Sequence, residues 1–358
     1  MEVLILSEVA PKPSPAQAFA VREEMLRSML LHGEITRREL GDTVLLSGGA
    51  ITQHTRWLKQ RRLVRGTRHR VDTSFRPVER LSIDGGRGRC LAIAVSQGVV
   101  HGDLLGCDGR VLRSWSRRVE PFTQVALFAA IDGIGRDACE SESASIDAAA
   151  LMVSGHVTPG RGLVFDINGI EGAFEPSQPG QILPAFESIG SFSVWTDAAC
   201  KARGYAGRLK RRDGVAYFEK QGSVFRLGNI EHGRVHYGEQ GTASSLFHRN
   251  VASRGPACIC GRSGCLTGLM RQPTRDRERI AAGIAAVFRE IDARYIGLEW
   301  DEQSDWLPVL LEEQGVAAEP VTDGAELARS GLQALAAESA LTRRLLASDQ
   351  ADRSRNSP

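Results

Sequence analysis

His248, Cys258, Cys260 and Cys265 stand in the run HRNVASRGPACICGRSGC, with the three cysteines inside eight positions. Thiolate and imidazole are good ligands for Zn²⁺, which takes four of them tetrahedrally. Four protein ligands leave no open position for water, so such a centre is structural rather than catalytic. Gly255, Gly261 and Gly264 would let one tight loop bring the sulfurs to a point. The other reading of the same residues is a glycine-rich turn that holds small buried cysteines. A second candidate chemistry is electrostatic. Lys59, Arg61, Arg62, Arg65, Arg68, Arg70, Arg76 and Arg80 face only Asp72 and Glu79 over the same stretch. Such a local excess suits a polyanion, and a solvated linker would have the same composition.

The elements that must carry these residues belong to a globular chain. It has 358 residues, 42% hydrophobic and 25% charged, which implies two or three domains. Charges interrupt every apolar run, so no membrane span is expected. The start, MEVLILSEVAPKPSP, lacks a basic leader, and no cleaved signal peptide is expected. Cys90, Cys107, Cys139 and Cys200 are scattered and the total of seven is odd. That pattern argues for a reducing, cytoplasmic setting rather than a disulfide framework.

The PKPSP segment reads as a spacer. Val21, Met25, Leu26, Met29 and Leu30 then recur at helical spacing, and His32-Gly33 ends the helix. Thr36 with Glu39 makes a capping box, so a second helix starts at Arg37. Ser47 caps a third helix over Gly48–Gln60, with Ile51 and Leu58 inward and Thr52, Gln53 and Arg56 outward. Leu63-Val64, Gly66 and Val71 read as a basic hairpin. Three helices and a basic wing predict a winged helix-turn-helix. Its third helix would read base edges through Thr52, Gln53 and Arg56, with Ser47 at its start, while Arg65, Arg68 and Arg70 touch phosphates. A small protein-interaction domain is the alternative. Gly48-Gly49 weakens the helix start by about 1 kcal/mol each, and close approach of DNA to the backbone would explain it. His54 is either a DNA contact or an interhelix packing residue.

Beyond Arg76-Pro77, strands are expected at Leu91–Val95, Val99–Leu105, Ala148–Val153 and Phe192–Trp195, with helices over Val125–Ile134 and Ala198–Gly204. Alternating strands and helices give an α/β fold. Asp197 follows a strand end, where such sheets place ligands, and a helix N-cap is the competing role.

In this order the features resemble the ROK family of sugar kinases and sugar-responsive repressors, most closely its xylose- and N-acetylglucosamine-type repressor branch. The family's helix-turn-helix pattern LSxATVSRxVxxLxxxGLV is matched in outline by LSGGAITQHTRWLKQRRLV, Leu46–Val64. Its metal run is matched by GEQGTASSLFH, Gly238–His248, and CICGRSGCLT, Cys258–Thr267, without a gap between them. The resemblance covers Val21 to the C-terminus. It implies an actin-like, ribonuclease H-like domain of two lobes behind the winged helix. The resulting division is a flexible segment 1–17, the winged helix-turn-helix 18–75, a linker 76–90, an effector and dimerisation domain 91–346 with the zinc loop 248–265, and a disordered tail 347–358.

The resemblance also implies roles. Family kinases hold ATP phosphates on an Asp-x-Gly-Gly-Thr turn and a second glycine-rich turn. Here Ser96-Gln97-Gly98-Val99 and Leu227-Gly228-Asn229-Ile230 stand in their places. Without backbone amides to cradle phosphate, kinase chemistry has little support, although Asp197 matches the kinase base. The sugar anchors map to Thr196, Asp197, Ser245, His248 and Thr267, and three of the five are now short hydroxyl side chains. Three functions follow. The first is a DNA-binding transcriptional regulator, of the repressor type that the resemblance implies, that answers to a carbohydrate-like or other small molecule, bound to an operator as a dimer or tetramer. The second is a dimerising regulator with a vestigial ligand site, and the third is an ATP-dependent carbohydrate kinase.

Overall fold

The computed structural model describes residues 14–69, 77–96, 98–142, 145–153, 156–158, 163–165, 179–221, 224–236, 247–258, 260–271, 276–301 and 304–356. They form two compact units, one of residues up to Asp84 with those from Arg344 on, the other Gly85–Arg343.

The smaller unit opens with α1, Pro15–His32. Proline suits the first helical position because its missing N–H has no helical partner there anyway. Ser14 and Gln17 complete a capping box, so the helix begins inside the expected spacer. After β1, Ile35–Thr36, the Thr36–Glu39 capping box starts α2, Arg37–Val44. Ser47 then caps α3, Gly48–Gln60. Met25, Leu26, Met29, Leu40, Ile51 and Leu58 face a common core. β2, Val64–His69, pairs antiparallel with β3, Val78–Ile83, and β3 also pairs with β1. Helix, strand, two helices and a two-stranded wing in this order are the topology of a winged helix.

Two further boundaries differ from expectation. The segment 76–90 is no linker, since Val78–Ile83 is the returning arm of the wing and Arg89 opens the next strand. Leu81 and Ile83 point inward while Ser82 between them is less buried, a strand alternation diluted by its charged neighbours. The tail 347–358 is not disordered as far as it is described, because its helix continues to Asn356. Its acids have partners within this unit. Asp352 accepts the Trp57 indole N–H at 2.9 Å and pairs with Arg61, and Asp349 lies 3.6 Å from Arg22. Arg22 in turn lies 3.8 Å over the Trp57 ring.

The larger unit begins with an antiparallel meander of β4, Arg89–Ser96, β5, Val99–Gly106, and β6, Val111–Arg118. α4, Gln124–Ser141, leads to β7, Ala148–Val153, which lies parallel to β4. A small hairpin of β8, His156–Thr158, and β9, Leu163–Phe165, precedes β10, Phe192–Thr196, parallel to β7. The sheet order is β10-β7-β4-β5-β6, with β6 at one edge among the described residues. β7 is buried throughout, as a strand covered on both faces must be.

α5, Asp197–Leu209, follows, and the pattern repeats. β11, Val215–Gln221, β12, Val224–Glu231, and β13, Arg234–Val235, form a second meander. α6, Leu266–Met270, and α7, Arg277–Glu290, lead to β14, Tyr295–Trp300, parallel to β11. α8, Trp306–Glu313, leads to β15, Glu319–Pro320, parallel to β14. The last helix is α9, Gly324–Asn356. The order β13-β12-β11-β14-β15 matches the first sheet strand for strand. Two ribonuclease H-like sheets in tandem are the actin-like arrangement expected. α5 and α9 approach so closely that a Cβ at Gly331 would collide with the Cys200 carbonyl.

Candidate metal centre and nucleic-acid interface

The four predicted metal ligands converge. Their donor atoms all lie within 4.8 Å of one another. Cys258 Sγ is 3.4 Å and Cys265 Sγ 4.0 Å from His248 Nδ1, and Cys260 Sγ is 3.9 Å from Cys265 Sγ. A tetrahedral zinc with bonds of about 2.0–2.3 Å needs ligand separations of roughly 3.5–3.8 Å, so the cluster fits one ion with no vertex to spare.

The surrounding chain explains the convergence. Phe247 is buried in the core and fixes His248 beside it. Cys265 caps α6, its sulfur accepting the Gly268 N–H at 3.4 Å. Val251 and Ala252 both donate to the Gly264 carbonyl, and Cys258 donates to Arg262. Gly264 has φ +73°, and a Cβ there would strike the Ala252 carbonyl. Burial pushes the Cys265 thiol up to about 11, so at neutral pH a bound cation is what would hold it as thiolate. Burial, with Arg271 and Arg262 adding to it, keeps His248 below its usual range and therefore in the neutral, ligating form.

The winged helix presents the other predicted face. Thr52, Gln53 and Arg56 are exposed on α3, and Arg65 and Arg68 are exposed on β2. Ser47 is spent as the cap of α3, and Thr52 Oγ1 donates to the Gly48 carbonyl at 2.8 Å. Arg65 donates to Ser82 Oγ at 3.3 Å. Arg70 lies outside the described residues. His54 is buried between helices, and burial, with Arg22 adding to it, lowers its pKa. Its role is therefore packing.

The predicted effector contacts have local partners instead. Thr196 caps α5 by accepting from Ala199 N at 3.2 Å. Thr267 Oγ1 donates to the Phe247 carbonyl at 2.9 Å. His248 belongs to the metal cluster, and Ser245 lies outside the described residues. Asp197 is buried and accepts its neighbour Ala198 N–H at 2.9 Å. Burial raises its pKa, Arg226 and Lys201 oppose this, and Glu219 adds to it.

Around Asp197 stands an ionic network that sequence reasoning missed. Arg226 NH1 lies 3.5 Å from Asp197 and 3.4 Å from Glu219. Lys201 bridges Glu219 at 2.9 Å and Glu299 at 2.8 Å. Tyr217 donates to Glu299 at 2.6 Å. The available signal was the pair Glu219-Lys220 inside the otherwise apolar strand VAYFEKQ. Leu227-Gly228-Asn229-Ile230 is an interior stretch of β12, paired residue by residue with β11, rather than a turn open to phosphate.

No family profile matches this sequence, and no curated protein does. Solved structures do. A ROK family transcriptional regulator, a homologue of the E. coli MLC protein, superposes with TM-score 0.63 at 16% identity, over 92% of this chain and 99% of that one. A ROK hexokinase from Thermus thermophilus superposes with TM-score 0.55 at 18% identity, over 69% of this chain and 97% of that one. The chain therefore has the fold shared by a ROK family transcriptional regulator and a ROK family sugar kinase.

Proposed function

We propose that the chain is a DNA-binding transcriptional regulator of the ROK family, acting in the cytoplasm as a homodimer or tetramer on a double-stranded operator. The observation that carries this reading is the exposed polar face of α3, Thr52, Gln53 and Arg56, beside a wing that carries Arg65 and Arg68. Arg56 makes no ion pair among the described residues, so its guanidinium is free for a base edge. The likeness to a regulator over most of the chain, and to a hexokinase over a smaller part, agrees with an added DNA-reading module. Selection from random DNA should return one preferred operator, bound more tightly than scrambled duplex at equal salt. Equal affinity for both would remove the reading.

The ion held by His248, Cys258, Cys260 and Cys265 is zinc, in a structural role, where it ties the 248–265 loop to the start of α6. Kinase chemistry is not proposed, because Asp197 faces Arg226 and the second phosphate turn is a paired strand. The effector is a carbohydrate-like or other small molecule near Asp197. A second reading, a dimerising regulator with a vestigial ligand site, is favoured by one observation. The Thr196 and Thr267 hydroxyls each already bond the protein's own backbone. Calorimetric titration with common sugars separates the two.

A further inference from the structure

The four metal ligands are not equally protected. Cys258 and Cys265 are buried, whereas Cys260 is exposed. Its sulfur stands 3.9 Å from that of Cys265. Oxidation of a thiol follows its thiolate character and its exposure. Metal ligation supplies the first and the surface position supplies the second. The segment between the two sulfurs is short and contains Gly261 and Gly264, both at positive φ. It can bend to bring them into bonding distance.

We propose that Cys260 is a peroxide-sensitive modification site through which the metal is released. This rests on the zinc reading given above. The Cys260 thiolate attacks one oxygen of hydrogen peroxide. An S–O bond forms, the O–O bond breaks, and the departing oxygen leaves as water after taking a proton. Cys260 is then a sulfenic acid. The Cys265 thiolate attacks that sulfur, the S–S bond forms, the S–O bond breaks, and the second oxygen also leaves as water. Two electrons pass from the two sulfurs to the peroxide. His248 and Cys258 remain, and two ligands do not hold a structural ion against competing chelators.

The test uses the full-length protein as purified. Metal analysis comes first, then hydrogen peroxide in the presence of a colorimetric zinc chelator, with mass spectrometry of the peptides. The expected result is release of the bound zinc together with a Cys260–Cys265 disulfide, reversed by a thiol reductant and added zinc. Cys260→His keeps a nitrogen ligand and removes the oxidisable sulfur, so release should slow by roughly tenfold or more. Cys139→Ser, a half-buried cysteine outside the cluster, should behave as the parent does. Zinc retained by the parent under peroxide, or a disulfide that excludes Cys260, overturns the proposal. Should Cys260→His fail to fold, peptide mapping of the parent still decides. Protein that arrives without zinc removes the metal reading itself, and this one with it.

Discussion

Arg226 on β12 sets its guanidinium 3.5 Å from the carboxylate of Asp197, the first residue of α5. The residue that would serve as a kinase base is thereby part of an internal ion pair. A base in that state has a competing cation beside it, and Leu227-Gly228-Asn229-Ile230 is tied up as paired strand. We expect no ATP-dependent phosphorylation of common hexoses or amino sugars in a coupled assay. Turnover that vanishes in Asp197→Asn would show that the pair opens for catalysis. Arg226→Ala should destabilise the chain by roughly 1–3 kcal/mol, because Asp197 and Glu219 would keep their charges with less compensation. Urea melts of parent and variant check it.

The metal centre makes a separate prediction. Purified protein should carry one zinc per chain. Cys258→Ser should lower both zinc content and melting temperature, since Cys258 is buried and contributes one of the four donors. Metal analysis well below one equivalent in the parent would refute the assignment.

The proposed DNA-reading role predicts two kinds of contact. Arg56→Ala should relax sequence preference and cost roughly 1–3 kcal/mol on the best operator. Arg68→Ala should weaken specific and nonspecific duplex alike and flatten the salt dependence. Gel shifts at two salt concentrations distinguish them. Unchanged binding in both variants would mean that α3 and the wing do not read DNA.

Gly48 and Gly49 open α3, yet a Cβ at either would meet nothing within 4 Å. Neither has positive φ, so the fold itself asks for no glycine there. Alanine at Gly49 should raise stability by up to about 1 kcal/mol. If DNA comes close to this backbone, the same change should weaken operator binding. A variant that is both more stable and equally tight would dismiss close approach as the reason.

Asp103 supplies the pH dependence. It is buried, which opposes its charge, but Arg329 at 2.6 Å, Ser114 at 2.6 Å and Gln333 at 2.9 Å outweigh that and hold its carboxyl below the usual carboxylate range. A carboxylate depressed on folding contributes stability that is fully present above its unfolded value and lost as pH falls through the folded one. Asp103→Asn should therefore cost about 2 kcal/mol at pH 7, and the difference from the parent should shrink below about pH 4. Denaturant midpoints along a pH series would reveal it, and a gap that stays constant to pH 3 would contradict it.

The winged helix was legible because local rules govern it. Thr36 with Glu39, and Ser47, mark helix starts by side-chain chemistry that acts within one turn. The apolar runs of β4, β7 and β10 were legible for the same reason. The end of α9 was not. Asp349 and Asp352 look like tail charges until Arg22, Trp57 and Arg61, nearly three hundred residues away or more, are placed beside them. The Asp197 network was hidden likewise, since its members come from α5, β11, β12 and β14. The metal cluster was readable because three of its four donors sit on one short loop.

Among the described residues β6 is an edge strand of the first sheet, and its composition bears on solubility. β6 is eight residues long, mostly exposed, and bears the apolar Val111 and Leu112 on its surface. A long strand with an unused row of N–H and C=O groups is a template for unwanted pairing with other chains. Arg113, Arg117 and Arg118 lie along it, each a charge that a second strand would have to desolvate. The second sheet has no such need, since β13 and β15 at its edges are only two residues each. Arginine on β6 thus acts as a gatekeeper against aggregation, while the shortness of β13 and β15 serves the other sheet.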